Sequence, residues 1–255
     1  AMLVGAFETA FHQTIPMERR IYGIPWEWYE QYGIQRLGYH GASHSYVAET
    51  LTELYGSTGK AISCHLGGSG SLCAIDEGRS VDTSFGISLQ VGIIQSNRCG
   101  DIDPFIVPFL QKEGLSLDEV LEGLTKKGGL LGISGVSNDL RDVLEAADAG
   151  NERAQLAIDV FCNGIVRHIG AYYAELGGLD HLVFTGGIGE HGTRIREIVC
   201  HQLKHMGILL DDKKNQSCTG SNTVISCDAS PVMIHVIPAN EELGVARKTY
   251  ACGRA

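Results

Sequence analysis

The sequence predicts an α/β fold, and three observations carry that reading. Short apolar runs of strand length alternate with longer stretches whose apolar residues recur every three or four positions. Glycine clusters stand directly after the apolar runs, and 33 of the 255 residues are glycine, about twice the usual share of roughly 7%. Hydrophobic residues make up 44% and charged residues 20%, with no low-complexity linker, so a disordered chain is excluded. Only six prolines and no G-X-Y period exclude collagen. In such a chain, glycines that free backbone N–H groups mark where a site should be sought.

The elements follow in order. Residues 3–7 read as a strand already in progress, so the chain is expected to begin mid-protein. Residues 44–54 put Tyr46, Val47, Leu51 and Leu54 on one side of a helix. Residues 62–66 are a short apolar strand that stops at Gly67-Gly68-Ser69-Gly70. Residues 71–75 alternate, Asp76-Glu77-Gly78 turns, and 79–83 return, which predicts a hairpin. Asp101-Ile102-Asp103-Pro104 opens a helix carrying Ile106, Val107, Phe109 and Leu110. The next helix, 116–126, has Ser116 as N-cap and Glu119 three residues on, a capping box. The longest helix, about 151–176, steps through Ile158, Phe161, Ile165, Ile169, Tyr172 and Leu176 and ends at Gly177-Gly178. Residues 182–184 form a buried strand running into Thr185-Gly186-Gly187-Ile188-Gly189, followed by a helix at about 192–205. A late strand at 232–237 is closed by Pro238, and 241–251 is a final helix.

Charge and cysteine usage bound the partners. The formal net charge is −10, which disfavours nucleic acid and anionic membrane. The eight cysteines contain no C-x-x-C and sit mostly in apolar stretches, as reduced core cysteines of a cytoplasmic protein do. No apolar run approaches the roughly 18 residues of a membrane span, and no signal peptide is read.

Three strand ends are expected to run into small-residue turns able to hold an anion: His65 to Ser71, Gly132 to Arg141, and Thr185 to Glu190. Each alone is weak, and neither a Walker A signature nor a full G-x-G-x-x-G is present. His40 and His44 are four apart, and either core packing or a ligand role fits. His201 and His205, also four apart, lack a neighbouring catalytic glutamate and read as a solvent-facing helix. Arg98 beside Asp101 and Asp103 fits a structural ion pair, and Glu241-Glu242 fits a helix start.

Jointly and in this order, these segments resemble the acetokinase family, which includes acetate, propionate and butyrate kinases. The resemblance rests on Ala10-Phe11-His12-Gln13-Thr14, Gly38-Tyr39-His40-Gly41-Ala42-Ser43-His44, Ser63-Cys64-His65-Leu66-Gly67, Ser80-Val81-Asp82-Thr83-Ser84 and Arg98-Cys99-Gly100-Asp101-Ile102-Asp103-Pro104. It continues through 129–141, 184–190 and 237–243, and it is nearer to acetate than to butyrate kinases.

The resemblance implies a sugar kinase, Hsp70 and actin-like ATPase fold, with a mixed central sheet flanked by helices. It implies that residues 1–9 end a first domain, 10–240 form the second, nucleotide-binding domain, and 241–255 are a closing helix. It further implies reversible phosphoryl transfer from ATP to a short-chain carboxylate, with ATP/ADP and Mg²⁺ as cofactors and a homodimer as the assembly. Catalytic roles fall on Arg98, His40 and Glu8. Nucleotide-binding roles fall on His65, Gly67, Gly68, Ser69, Gly70, Asp139, Leu140, Arg141, Gly186, Gly187, Ile188 and Gly189. Substrate contacts fall on Tyr39 and Leu89, and the metal on Glu241. The family's N-terminal phosphate loop has no counterpart in these residues, so the chain alone is expected to turn over little. Several positions depart from the family pattern. Glu8 stands where the family has aspartate, Gly68 for asparagine, Tyr39 for phenylalanine, Leu89 for proline and Val91 for glutamate, and Gln95-Ser96-Asn97 replaces a Met-Gly-Thr type run. These departures keep open a nucleotide-binding pseudo-kinase or regulatory paralogue.

Overall fold

The computed structural model describes residues 4–220 and 222–252. A 3₁₀ turn (Ala10–Thr14) and two short helices, α1 (Met17–Arg20) and α2 (Trp26–Tyr32), precede α3 (Gly41–Tyr55). Strands β1 (Lys60–Leu66), β2 (Gly70–Asp76) and β3 (Arg79–Thr83) form an antiparallel meander. Its β2–β3 turn uses Glu77 and Gly78, both at positive φ, as a tight two-residue hairpin loop requires. Five helices follow: α4 (Ile106–Lys112), α5 (Leu117–Lys126), α6 (Gly129–Ser134), α7 (Leu140–Asp148) and α8 (Glu152–Leu176). The chain then forms β4 (His181–Thr185), α9 (Gly186–His191), α10 (Thr193–Gln202), α11 (Asp212–Ser217), β5 (Thr223–Val224), β6 (Met233–Val236) and α12 (Glu241–Cys252).

The sheet order is β3-β2-β1-β4-β6-β5. Strands β1, β4 and β6 are parallel neighbours, and the others pair antiparallel. Strand period 2 divides β1 between two layers. Ile62, Cys64 and Leu66 join the larger core with Ile158, Phe161, Ile165 and Ile169 of α8. Ala61 faces the other way, with Cys73 and Ile75 of β2 and Val47, Ala48 and Leu51 of α3. The apolar face of α8 is therefore consumed by the core.

Four sequence expectations need correction or restriction. Residues 4–7 form no strand, since they pair with nothing in the sheet and lead into the 3₁₀ turn; Leu3 lies outside the described residues. The helix expected from Asp101 starts at Ile106, because both acids serve the loop: Asp101 Oδ1 accepts from Gly92 N–H and Asp103 Oδ1 from Phe105 N–H. The turn within 132–141 follows a helix end, not a strand end, and links α6 to α7. His201 and His205 do not share a helix, as α10 ends at Gln202 and His205 lies in a 3₁₀ turn. The capping box of α5 forms as read, with Ser116 and Glu119 bonding reciprocally. All eight cysteines are free. Among the described residues no helix is long and apolar enough to cross a membrane.

Candidate active site

The carboxyl ends of parallel strands are where open α/β sheets bind ligands. Here β1 runs into Gly67 and β4 into Gly186. With the start of α7 they border a cleft of about 650 Å³. Its lining includes Gly67, Gly68, Ser96, Asp139, Leu140, Arg141, Gly187 and Ile188, together with Asn138, Leu144, His191 and Gly192. Three stretches far apart in sequence thus meet at one place. The other glycines of these loops do not line the cleft. Gly186 has φ +75, and a Cβ there would lie 2.8 Å from the Leu66 carbonyl. Gly189 packs on Phe184, and Gly70 lies under Ile93.

Asp139 caps α7 through its bond from Arg141 N–H, and its carboxylate also receives the Arg141 guanidinium. Those hydrogen bonds push the Asp139 carboxyl down to about 2. Arg196, which carries no signal in the sequence, is fully buried against the end of α9. Its guanidinium donates to the carbonyls of Gly189 and Glu190 and to Asn215 Oδ1, so it ties off the end of α9. An arginine in an amphipathic helix gives no sequence sign of burial.

Beside the cleft stands a group of histidines. His40 is the N-cap of α3 and holds a left-handed backbone, φ 55 and ψ 27, costly for a residue with a Cβ. Its ring stacks on His65 at 4.2 Å. His40 Nδ1 lies 3.0 Å from Ser71 Oγ, and His65 Nδ1 lies 2.8 Å from Ser43 Oγ. Burial, then the nearby His65, His12 and Arg98, bring His40 down to about 3; burial brings His65 to about 4. Both rings are therefore neutral at pH 7. His12 is structural: it meets Ser80 Oγ at 2.8 Å and the Tyr39 carbonyl at 2.9 Å.

Arg98 Nη1 donates to Ser69 Oγ and to Gln95 Oε1. Buried Gln95 donates in turn to the Leu89 carbonyl at 2.8 Å. Gln95 therefore couples Arg98 to the 84–92 loop. Tyr39 donates its hydroxyl to the Ile87 carbonyl of the same loop and sets its ring edge against Phe85.

Glu8 lies over the start of α3. Its carbonyl accepts from Gly41 N–H at 2.9 Å, and Oε2 accepts from Ala42 N–H at 3.4 Å. Glu241, the first residue of α12, is raised by burial and by the negative charge of Glu8. Two carboxylates near enough for one charge to raise the other offer the hard oxygen donors that a divalent cation takes. Elsewhere, Glu197, His201 and Asp212 bring three ligand-type atoms within 4.8 Å of one another at the surface. There the His201–Asp212 contact, 3.0 Å, already satisfies the pair.

A sequence model described as the acetokinase family matches residues 1–247. An acetate kinase of Dictyoglomus thermophilum is 51% identical over 247 residues, 95% of this chain and 62% of its own length. A propionate kinase of Citrobacter rodentium is 49% identical over 248 residues, 96% of this chain and 61% of its own. The crystal structure of Porphyromonas gingivalis acetate kinase superposes with a TM-score of 0.93 at 40% identity, covering 97% of this chain and 63% of that one. The chain thus spans about three-fifths of the length of these relatives.

Proposed function

The chain belongs to the acetokinase family, and on that premise we propose that the intact protein reversibly transfers the γ-phosphoryl group of ATP to a short-chain carboxylate, giving ADP and an acyl phosphate. The observation that carries this reading is the convergence of the 67–68, 139–141 and 187–188 backbones on one cleft with His40, His65 and Arg98 beside it. Phosphoryl transfer asks for positioning and charge stabilisation more than for covalent help. In this reading the adenosine lies between α7 and the start of α9, and Gly67 and Gly68 approach the phosphates. Arg98, held by Ser69 and Gln95, stabilises the equatorial oxygens as charge develops. Neutral His40 and His65 donate hydrogen bonds to the same group. Tyr39 and Leu89 bound the acceptor acid, acetate or propionate in size. Glu241, with Glu8, would hold Mg²⁺ through water. When bound, Mg²⁺ neutralises phosphate charge.

The protein is further read as cytoplasmic and homodimeric, without membrane or nucleic-acid partners. Exposed Phe105, just before α4, Phe109 on α4, and Leu117 and Leu121 on α5 support the dimer, which sedimentation would check. The intact protein, supplied with ATP, Mg²⁺ and acids from acetate to butyrate, should form acyl phosphate trapped as hydroxamate. R98A should lower kcat by about 100-fold or more with a smaller change in KM for ATP. ADP binding without acyl phosphate from any acid would refute the kinase and leave the pseudo-kinase reading, which the absent amide at Gly68 favours.

A further inference from the structure

Phosphoryl oxygens accept hydrogen bonds and donate none, so an imidazole that serves one must present an N–H. Which nitrogen of His40 carries its proton is set by the partner of the other nitrogen. That partner is Ser71 Oγ, 3.0 Å from His40 Nδ1. The same hydroxyl lies 2.9 Å from His44 Nε2, and His44 Nδ1 lies 2.9 Å from Ser63 Oγ. Ser63, Ser71 and His44 are each 0% exposed.

The placement follows from element geometry. His40 and His44 are one helical turn apart on α3. Ser63 and His65 occupy alternate positions of β1, and Ser71 on β2 sits directly across from His65. All project to the α3 face of the sheet.

One hydroxyl holds one proton. If Ser71 donates to one imidazole, it can only accept from the other. Burial holds His44 neutral, with its pKa well below the ordinary value, so this ring carries a single N–H. Two fully bonded arrangements result. In the first, Ser63 donates to His44 Nδ1, His44 Nε2–H donates to Ser71, and Ser71 donates to His40 Nδ1. His40 then bears its proton on Nε2, the nitrogen with no partner among the described residues. In the second, every bond is reversed and His40 presents a bare Nε2. Both hold the same protons and the same charge.

We propose that Ser71, backed by His44 and Ser63, is a positioning residue whose buried relay couples to the tautomer of His40, and that a phosphoryl anion at Nε2 locks the relay in its first arrangement. The identity of the anion rests on the kinase reading; the relay itself does not. The left-handed backbone of His40 fits this role, because it keeps the ring on Ser71 at a conformational cost.

The test is nitrogen NMR of the intact protein with ¹⁵N-labelled histidine, in the presence of MgADP and inorganic phosphate. His40 should be protonated at Nε2 and bare at Nδ1. His44 should likewise be protonated at Nε2 when phosphate is bound; in S71A its proton should divide between both nitrogens, kcat should fall about tenfold or more, and KM for ATP should stay within about twofold. S71T, which restores a hydroxyl, should recover both readouts. If S71A does not fold, S63A leaves a buried His44 Nδ1–H no acceptor and should hold both rings protonated at Nε2 even without phosphate. A His40 proton on Nδ1 with phosphate bound, a His44 tautomer unchanged in a folded S71A, or a His40 proton still divided in phosphate-free S63A would overturn the proposal. A fixed Nε2 tautomer in a protein that makes no acyl phosphate would sink the kinase reading and support the relay.

Discussion

Gly68 and Gly186 stand in equivalent places, each just past a parallel strand, yet they carry opposite constraints. A Cβ at Gly68 meets only Ser96 Oγ, at 3.5 Å, and its φ lies outside the left-handed region. Gly68→Asn is therefore expected to fold with little loss, and its amide would add a donor to the cleft. ADP affinity should rise several-fold, the yield of about one hydrogen bond, as calorimetry would show; a loss of stability above about 2 kcal/mol would contradict the open geometry. At Gly186 the backbone holds φ +75, and a Cβ would press on the Leu66 carbonyl at 2.8 Å. Gly186→Ala should cost about 2 kcal/mol or more, measured by urea unfolding, and weaken ADP binding with it. The sequence shows both glycines in loops of the same kind. Only the crossing of Leu66 behind Gly186, a contact between residues 120 positions apart, separates the permissive one from the required one.

Helix α9 has six residues and no side-chain cap at Thr185, too short to hold itself by propensity. What holds it is tertiary. Arg196 bonds the Gly189 and Glu190 carbonyls from α10, and Glu190 Oε1 accepts from Ala239 N–H at 2.9 Å. Arg196→Met keeps much of the volume but strands those carbonyls and Asn215 in the interior. It should destabilise the fold by about 3 kcal/mol or more and loosen Gly187 and Ile188, raising the Kd for ADP; a change under about 1 kcal/mol would show that the guanidinium is replaceable. Elements of this kind marked the limit of the sequence reading. Long periodic pieces such as α8 were legible within a residue or two, because one amphipathic face sets them. Helix α7 and the polar alternation Ser63–His65 were not read, since α7 is amphipathic but short. The polar alternation has meaning only once α3 is laid over β1.

At the scale of the whole molecule, the buried histidines make a prediction about acid. Burial lowers His12, His65 and His235 to about 4 and His40 to about 3, and holds His44 and His181 below their ordinary value. His181 and His235 lie 3.0 Å apart on β4 and β6, in the sheet itself. Unfolding returns each ring to about 6.5. Between pH 6.5 and about 4 the unfolded chain therefore binds more protons than the folded one, and stability falls as pH falls. Above pH 6.5 neither state takes them up, and this contribution is flat. At pH 5.5 each such ring costs about 1.4 kcal/mol, so the four with resolved values cost about 5–6 kcal/mol, comparable to the whole stability of many domains. Glu175, raised to about 7 by burial and then by Asp82, works in the opposite sense over part of that window, but it offsets one proton at most. Urea unfolding at pH 7.5 and 5.5 should show a drop of several kcal/mol with a proton uptake of about three or more, and His235→Gln should reduce that uptake by about one. An unfolding free energy constant between these pH values would mean that the rings are hydrated and able to charge in the folded state, and the neutral His40 on which the proposed phosphoryl recognition rests would fall with it.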